Sequence, residues 1–505
     1  MSDSGLLGSR PLAEYGTAAS GPGRTPPPSA TWTISNRRLH FAVAVLCYVN
    51  LLNYMNWFLV AGVLLDIQKY FRISDKNAGS LQTVFICSLL VAAPLFGFLG
   101  DRYNRKRILS CGIVLWSCAS LAGSFVSECC SWLFFLSRGV VGVGAASYST
   151  VAPTIIGDLF VKDKRTWVLS IFYIFIPVGS GLGYILGSTV AQAKEDWRWA
   201  FRIMPSLEVV ALVLLLLVVP DPPRGAAEKR RASGPSHSSW AQDVKYLGHN
   251  RSFIWSSLGV TAMGFVSGAL GFWGPRFLYQ ARLFLGLEPP CLQTHCDSSD
   301  SLIFGGLAIG TGIVGVILGA QVARYFRKFS PKADSLLCAM SLLAAAPCLL
   351  LTIFFASKSI VVTYICLGLG ELLLSFNWAV VTDILLAVVE ASRRGTAEAL
   401  QISVCHLLGD AGSPYLVGLI SSAIQKHQSD SFLGAVRSLQ YSFIICVFVT
   451  ALGGGCFFLT ALHVEADQRA ARDGLDSGSE DEEGGENPAF LSPGEDREAL
   501  LAAGP

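Results

Sequence analysis

Gly97-Phe98-Leu99-Gly100-Asp101-Arg102-Tyr103-Asn104-Arg105-Lys106-Arg107 sets a run of cations hard against an apolar segment that ends near Leu99. Such a junction is the mouth of a membrane helix, on the side where positive charge is retained. Gly97 and Gly100 permit close backbone approach. Asp101 is placed to face a neighbouring helix end or an arginine, so Asp101, Arg102 and Arg105 read as a gate of polar contacts that break and re-form. The alternative is an ordinary cation-rich loop that does no more than set topology.

The rest of the chain fits a membrane setting. With 505 residues, 52% of them hydrophobic and only 15% charged, it is too apolar for a set of soluble domains and reads as a polytopic membrane protein. Fifty glycines spread through apolar segments suit close helix packing in lipid. The net charge of +2 matters less than its distribution, with Glu480, Asp481, Glu482 and Glu483 in one acidic run and the basic residues crowded into particular loops. That asymmetry sets topology and gives no sign of nucleic-acid binding. Residues 1–37 hold no apolar core of signal-peptide length, so the first span is expected to serve as the insertion signal.

Apolar runs of bilayer length fall near 39–65, 78–100, 107–127, 131–157, 167–191 and 199–220, then near 252–280, 301–324, 334–356, 359–389, 396–424 and 438–463. The expected organisation is a disordered tail (1–37), a six-helix bundle (38–220), a linker (221–251), a second six-helix bundle (252–463) and an acidic disordered tail (464–505). The loops starting at Arg102, Lys162, Arg224, Arg324 and Arg393 carry roughly twenty Lys and Arg against roughly ten on the other side, which puts both termini and the linker in the cytoplasm. The halves read as repeats: Ile317 to Lys328 is a worn copy of Leu95 to Arg107, and Pro177 to Ser188 stands opposite Gly409 to Gly418.

Polar residues inside spans are costly and are the first functional candidates. Asn50, Asn53, Tyr54 and Trp57 share one face of the first span by helical spacing. Arg138, Gly142, Ala145 and Ser149 form a stripe on the fourth, Glu371, Ser375, Trp378 and Thr382 on the tenth, and Ser403, His406, Asp410 and Ser413 on the eleventh. The four stripes are expected to line one cavity. Each has a plainer alternative: Arg138 snorkels to an interface, His406 and Asp410 bond only each other as a polar network, and the Asn and Ser residues join helices. Glu371, a carboxylate deep in an apolar span, must be protonated or paired.

No G-x-S-x-G, H-E-x-x-H or P-loop is present, so no enzyme chemistry, cofactor or metal is expected. The Gly179 to Gly187 cluster lies inside an apolar span and reads as helix packing. Fourteen cysteines show no paired C-x-x-C and act mostly as small apolar fillers. Cys291 and Cys296 bracket a short external loop, where a disulfide and free thiols are both open readings. In the tail, Asp496, Leu500 and Leu501 have the spacing of an acidic dileucine read by endocytic adaptors, a short pattern that also arises by chance in disordered tails, so endolysosomal and plasma membranes both stay open.

The basic run resembles the loop between the second and third helices of major facilitator transporters. Asn53-Tyr54-Met55 with Val60-Ala61-Gly62-Val63-Leu64, Gly100 to Lys106, Ser147 to Thr154 and His406 to Tyr415 together resemble the Spinster lipid transporters, from about Asn50 to Glu465. That resemblance implies an all-α fold of twelve transmembrane helices in two pseudo-symmetric bundles. It implies alternating-access transport of a single-chain charged lipid such as sphingosine-1-phosphate or a lysophospholipid, by a monomer. It further implies that Asn50 and Tyr54 line the cavity, Asp101 sits in the inner gate, Arg138 and Glu371 serve headgroup or proton chemistry, and Thr311 lies beside the substrate path. Relatives typically carry Asp-Arg where this chain has Asn56-Trp57 and Glu where it has Ala145. These neutral positions leave Glu371 as the main mid-span carboxylate, with Asp383 and Asp410 toward helix ends, so uncoupled movement is expected, with Glu371 protonated or paired to Arg138. The other readings are a carrier of hydrophobic organic anions and a non-transporting lipid sensor or scaffold.

Overall fold

A computed structural model describes residues 36–160, 162–221, 240–287, 299–390, 393–427 and 432–483. Eleven of its helices are long and apolar enough to cross a bilayer. They are α1 (Asn36–Gly62), α2 (Asp75–Arg102), α4 (Ser131–Leu159), α5 (Lys162–Lys194), α6 (Arg198–Val218), α7 (Arg251–Phe284), α8 (Ser299–Phe326), α9 (Ala333–Phe355), α10 (Ile360–Val388), α11 (Arg394–His427) and α12 (Val436–Ala471). The twelfth, α3 (Arg105–Gly123), is 19 residues long and opens with Arg105, Lys106 and Arg107, which dilute its apolar character. At 1.5 Å per residue it still reaches about 28 Å, close to the hydrocarbon thickness of about 30 Å. It packs between α4 and α6.

The helix starts follow from local capping. Ser74, Asn104 and Asn250 accept hydrogen bonds from the backbone N–H groups of Asn77, Arg107 and Phe253, so α2, α3 and α7 begin where a short polar side chain replaces the missing carbonyl. Two spans are not uniform. The tenth breaks at Phe376, where Asn377, fully buried, donates to the carbonyls of Leu373 and Leu374 and accepts from Ser341 of α9. The eleventh contains a π-helical segment at Cys405–Asp410, held against α7 where Gly264, Gly268 and Gly409 leave no room for a Cβ.

Three elements depart from the sequence reading. The linker holds a short helix, Trp240–Leu247, that docks on the second bundle: Leu247 is buried with Val388, Val389, Ala397 and Val464, and Asp243 pairs with Arg393. The last helix, α12, runs past 464, where a disordered tail was expected, because Val464 is buried in that same cluster and Asp467 accepts from the backbone N–H of Ser252 of α7. The third span also ends at Gly123, short of the expected 127.

The repeat reading extends to contacts. Setting Arg102 on Arg324 sets Arg105 on Arg327. Arg105 pairs with Asp158 at the end of α4, and Arg327 with Asp383 (2.6 Å) near the end of α10 and with Asp334 (3.0 Å). Each half thus ties its basic loop to its own fourth helix.

Within each bundle, glycine decides how near helices come. A Cβ on Gly142 of α4 would lie 2.2 Å from the Phe85 carbonyl oxygen of α2, whereas one on Gly157 of the same helix would meet nothing within 4 Å. Gly142→Ala is therefore expected to destabilise by about 1–3 kcal/mol and Gly157→Ala to be neutral. Thermal unfolding of the purified variants in detergent checks the contrast, and equal midpoints would contradict the packing account.

Candidate functional site

The two bundles meet along α2 with α11, α5 with α8, and α1 with α7. At this seam backbone touches backbone: Cβ atoms added to Gly79, Gly418 and Gly305 would lie 2.3, 2.4 and 2.6 Å from the carbonyl oxygens of Pro414, Asp75 and Gly181. Thr83 donates to the carbonyl of Ala411 (2.6 Å). All of these residues lie in the halves of α2, α5, α8 and α11 nearest Asp75. Toward the Arg105 end, Arg394–Val404 of α11 packs on its own bundle. The bundles are thus joined backbone to backbone in the halves nearest Asp75.

A polar cluster closes that end. Asp75 is 3% exposed, yet its carboxylate accepts from Arg276 of α7 (2.5 Å), Ser421 of α11 (2.7 Å) and Gln68 (3.1 Å). Arg276 also donates to Gln68 (2.6 Å) and lies over the Trp273 ring. A buried ion pair joining the two bundles, with its remaining lone pairs occupied, is both strong and separable. In sequence Asp75 is indistinguishable from an ordinary first-turn acid, because it opens a helix after Ser74.

The expected gate has a different geometry. Arg105 binds Asp158 and the Gly100 carbonyl, all in its own bundle, and Arg102 lies over the Phe98 ring. The Asp101 side chain, Cys291, Cys296, Asp496, Leu500 and Leu501 lie outside the described residues.

The cavity candidates separate into three groups. In the first bundle, Asn50 donates to the Phe172 carbonyl (2.9 Å) and joins α1 to α5, while Asn53 is buried beside it in α1. Arg138 is 1% exposed: Nη1 donates to Oδ1 of Asn56 (3.3 Å), the guanidinium lies 5.1 Å over the Phe85 ring, and Nε and Nη2 have no partner. It does not snorkel. At the seam, Tyr54 stacks on Trp57 (5.6 Å between centroids, planes 10° apart), and Trp57 reaches His406 of the π-helical segment (6.3 Å). His406 bonds Asp410 (2.7 Å). In the second bundle, Glu371 has the Thr311 hydroxyl beside it, and its Oε2 is buried without a partner. Ser375 packs on Gly315 of α8, and Trp378 is 45% exposed. Glu371 and Arg138 are not paired: they lie in different bundles, with the seam between them.

One residue went unread in the sequence. Glu208 of α6 is fully buried and accepts from Ser117 (2.5 Å) and Asn56 (3.0 Å), so a second mid-span carboxylate stands beside the one expected. Its signal was a lone acid in the apolar run Leu207 to Val218.

Residues 46–327 match the model of the Major Facilitator Superfamily. The chain is 62% identical to protein spinster homolog 3 of Mus musculus over 91% of its own length and 90% of the relative's, and 55% identical to protein spinster homolog 1 of Rattus norvegicus over 85% and 82%. The chain belongs to the Spinster family. Among solved structures it is similar to a bacterial homologue of the human lysosomal transporter Spinster in an inward-facing, unoccupied conformation, with a TM-score of 0.73 at 17% identity over 86% of this chain and 99% of that one. A D-xylose–proton symporter superposes with a TM-score of 0.60 at 17% identity over 82% and 97%.

Asp75→Asn keeps the shape of the seal and removes its charge. Each charge-assisted bond contributes about 1.5–3 kcal/mol, so the variant is expected to open the sealed end more often. A cysteine at Ile309, mid-seam, should then react faster with a membrane-impermeant maleimide applied from the Asp75 side. Unchanged labelling would remove Asp75 from the seal.

Proposed function

We propose that this Spinster protein moves a single-chain lipid with a charged head across the bilayer by alternating access, with the Arg105 end in the cytoplasm. One observation carries the reading: Arg138 of the first bundle is buried with Nε and Nη2 unpartnered, and Glu371 of the second is buried with Oε2 unpartnered, on either side of the seam. A guanidinium fork matches phosphate, and a carboxylate matches an ammonium. A head that bears both groups, as in sphingosine-1-phosphate or a lysophosphatidylethanolamine, satisfies both at once, and its single chain lies against the apolar walls. The bundles rock about the seam, exposing the charges first to one face and then to the other. The purely structural scaffold is less well supported, since it needs no unpaired charge.

The aromatic group of Tyr54, Trp57, Phe58 and Phe85 supports a second reading, a hydrophobic organic anion held by Arg138 and ring faces. For coupling, the reading is facilitated movement down the lipid gradient. The cytoplasmic tail, with Asp496, Leu500 and Leu501, would direct the protein to endolysosomes through an adaptor.

Flux of labelled lipids through proteoliposomes of the purified chain tests the proposal. The expected order is phosphate-and-ammonium lysolipid well above a neutral monoacylglycerol or an aromatic sulfonate. Arg138→Ala and Glu371→Gln should each slow the zwitterionic lipid by about tenfold or more, the equivalent of one lost charged hydrogen bond. Equal flux of the neutral lipid, or unaltered flux in both variants, would overturn it. A pH step across the vesicles should change the initial rate little, and accumulation against the gradient under a proton gradient alone would refute facilitated movement.

A further inference from the structure

Glu208, Asn56 and Arg138 come from three helices, α6, α1 and α4, and form one chain of contacts. The Glu208 carboxylate is wholly enclosed. Its Oε1 accepts from the Asn56 amide nitrogen (3.0 Å) and its Oε2 from Ser117 of α3 (2.5 Å). The oxygen of the same amide accepts from Arg138 Nη1 (3.3 Å). Two opposite charges therefore sit in one bundle with a single amide between them, and among the described residues no carboxylate pairs directly with Arg138.

That spacing has a chemical consequence. In direct contact, a buried arginine and carboxylate form a bidentate pair that satisfies both groups. An incoming anion would then have to break it. Held one amide apart, the carboxylate polarises Asn56 so that its oxygen is a stronger acceptor, and the field of Glu208 offsets part of the penalty of burying the cation. Nε and Nη2 stay unbonded. The amide fits this place because it is a neutral side chain that donates from its nitrogen and accepts at its oxygen.

We propose that Glu208 is a positioning residue: acting through Asn56, it holds the Arg138 guanidinium charged and oriented while leaving two of its nitrogens for the anionic part of the ligand. The proposal rests on the reading of Arg138 as the group that meets that anion.

The test uses the full-length chain purified in detergent, with lysophosphatidylethanolamine as probe and tryptophan fluorescence as the binding signal, Trp57 lying against Phe85. Glu208→Gln preserves the size and one hydrogen bond of the side chain while removing its charge. Asn56→Asp combined with Glu208→Gln keeps the net charge but places the carboxylate against Arg138. The expected result is binding weakened about tenfold or more in both, with the double variant melting no lower than the parent. In protein labelled with 15N-arginine, the Nε–H resonance that disappears in Arg138→Lys should shift in both variants. A parent-like affinity in the double variant, or an unmoved resonance in Glu208→Gln, would overturn the positioning role. Parent-like binding by Arg138→Ala would instead overturn the underlying assignment of the anion to Arg138, whatever the resonance does.

Discussion

The contact of α2 with α11 is what the rest of the arrangement depends on. Lipid supplies no hydrophobic drive between helices, so association in the bilayer comes from close packing and polar contacts. Here both act at the same place. Gly79 and Gly418 bring the backbones together, and the Asp75 carboxylate gathers Arg276, Ser421 and Gln68 around it. The bundles are therefore joined at the Asp75 end by both kinds of contact.

This division explains why polar residues of similar appearance in sequence have different roles. Asn50 and Asn377 satisfy backbone carbonyls and hold helices in register. Asn56 sits between two charges and completes neither. Glu371 and Arg138 each keep buried polar atoms without a partner, on opposite sides of the seam. The π-helical turn at Cys405–Asp410 adds a second irregularity at the same level, placing His406 against Trp57 rather than against lipid. Such bulges recur at functional sites, where a local break in the ladder re-aims side chains.

The basic loops do another kind of work. Arg105 and Arg327 occupy matching places in the two halves and bind the ends of the fourth and tenth helices. In the second bundle the short helix Trp240–Leu247, tied by Asp243 to Arg393, adds a further contact at that end. Rigid halves joined along a narrow seam are what rocking motion requires.

Span number, the two repeats and the membrane setting were legible in the sequence because bilayer thickness imposes a length and an apolar composition on every crossing helix. The Spinster resemblance was legible from short motifs, and Arg138, Glu371, His406 and Asp410 stood out because an ionisable group in an apolar run is rare. The same rule applied to Glu208, but a single acid without a periodic polar stripe was easy to pass over. Sequence could not show that Asn50 joins helices while Asn56 bridges charges, since both are the same residue on one helix and only their neighbours from α4, α5 and α6 tell them apart. Nor could it show Asp75 as the seal, because a helix-capping acid and an inter-bundle latch look identical until Arg276, 201 residues away, is folded against it. Spans follow from local composition, whereas the pairing of buried charges depends on which helices the fold brings together, and that was decided by tertiary structure alone.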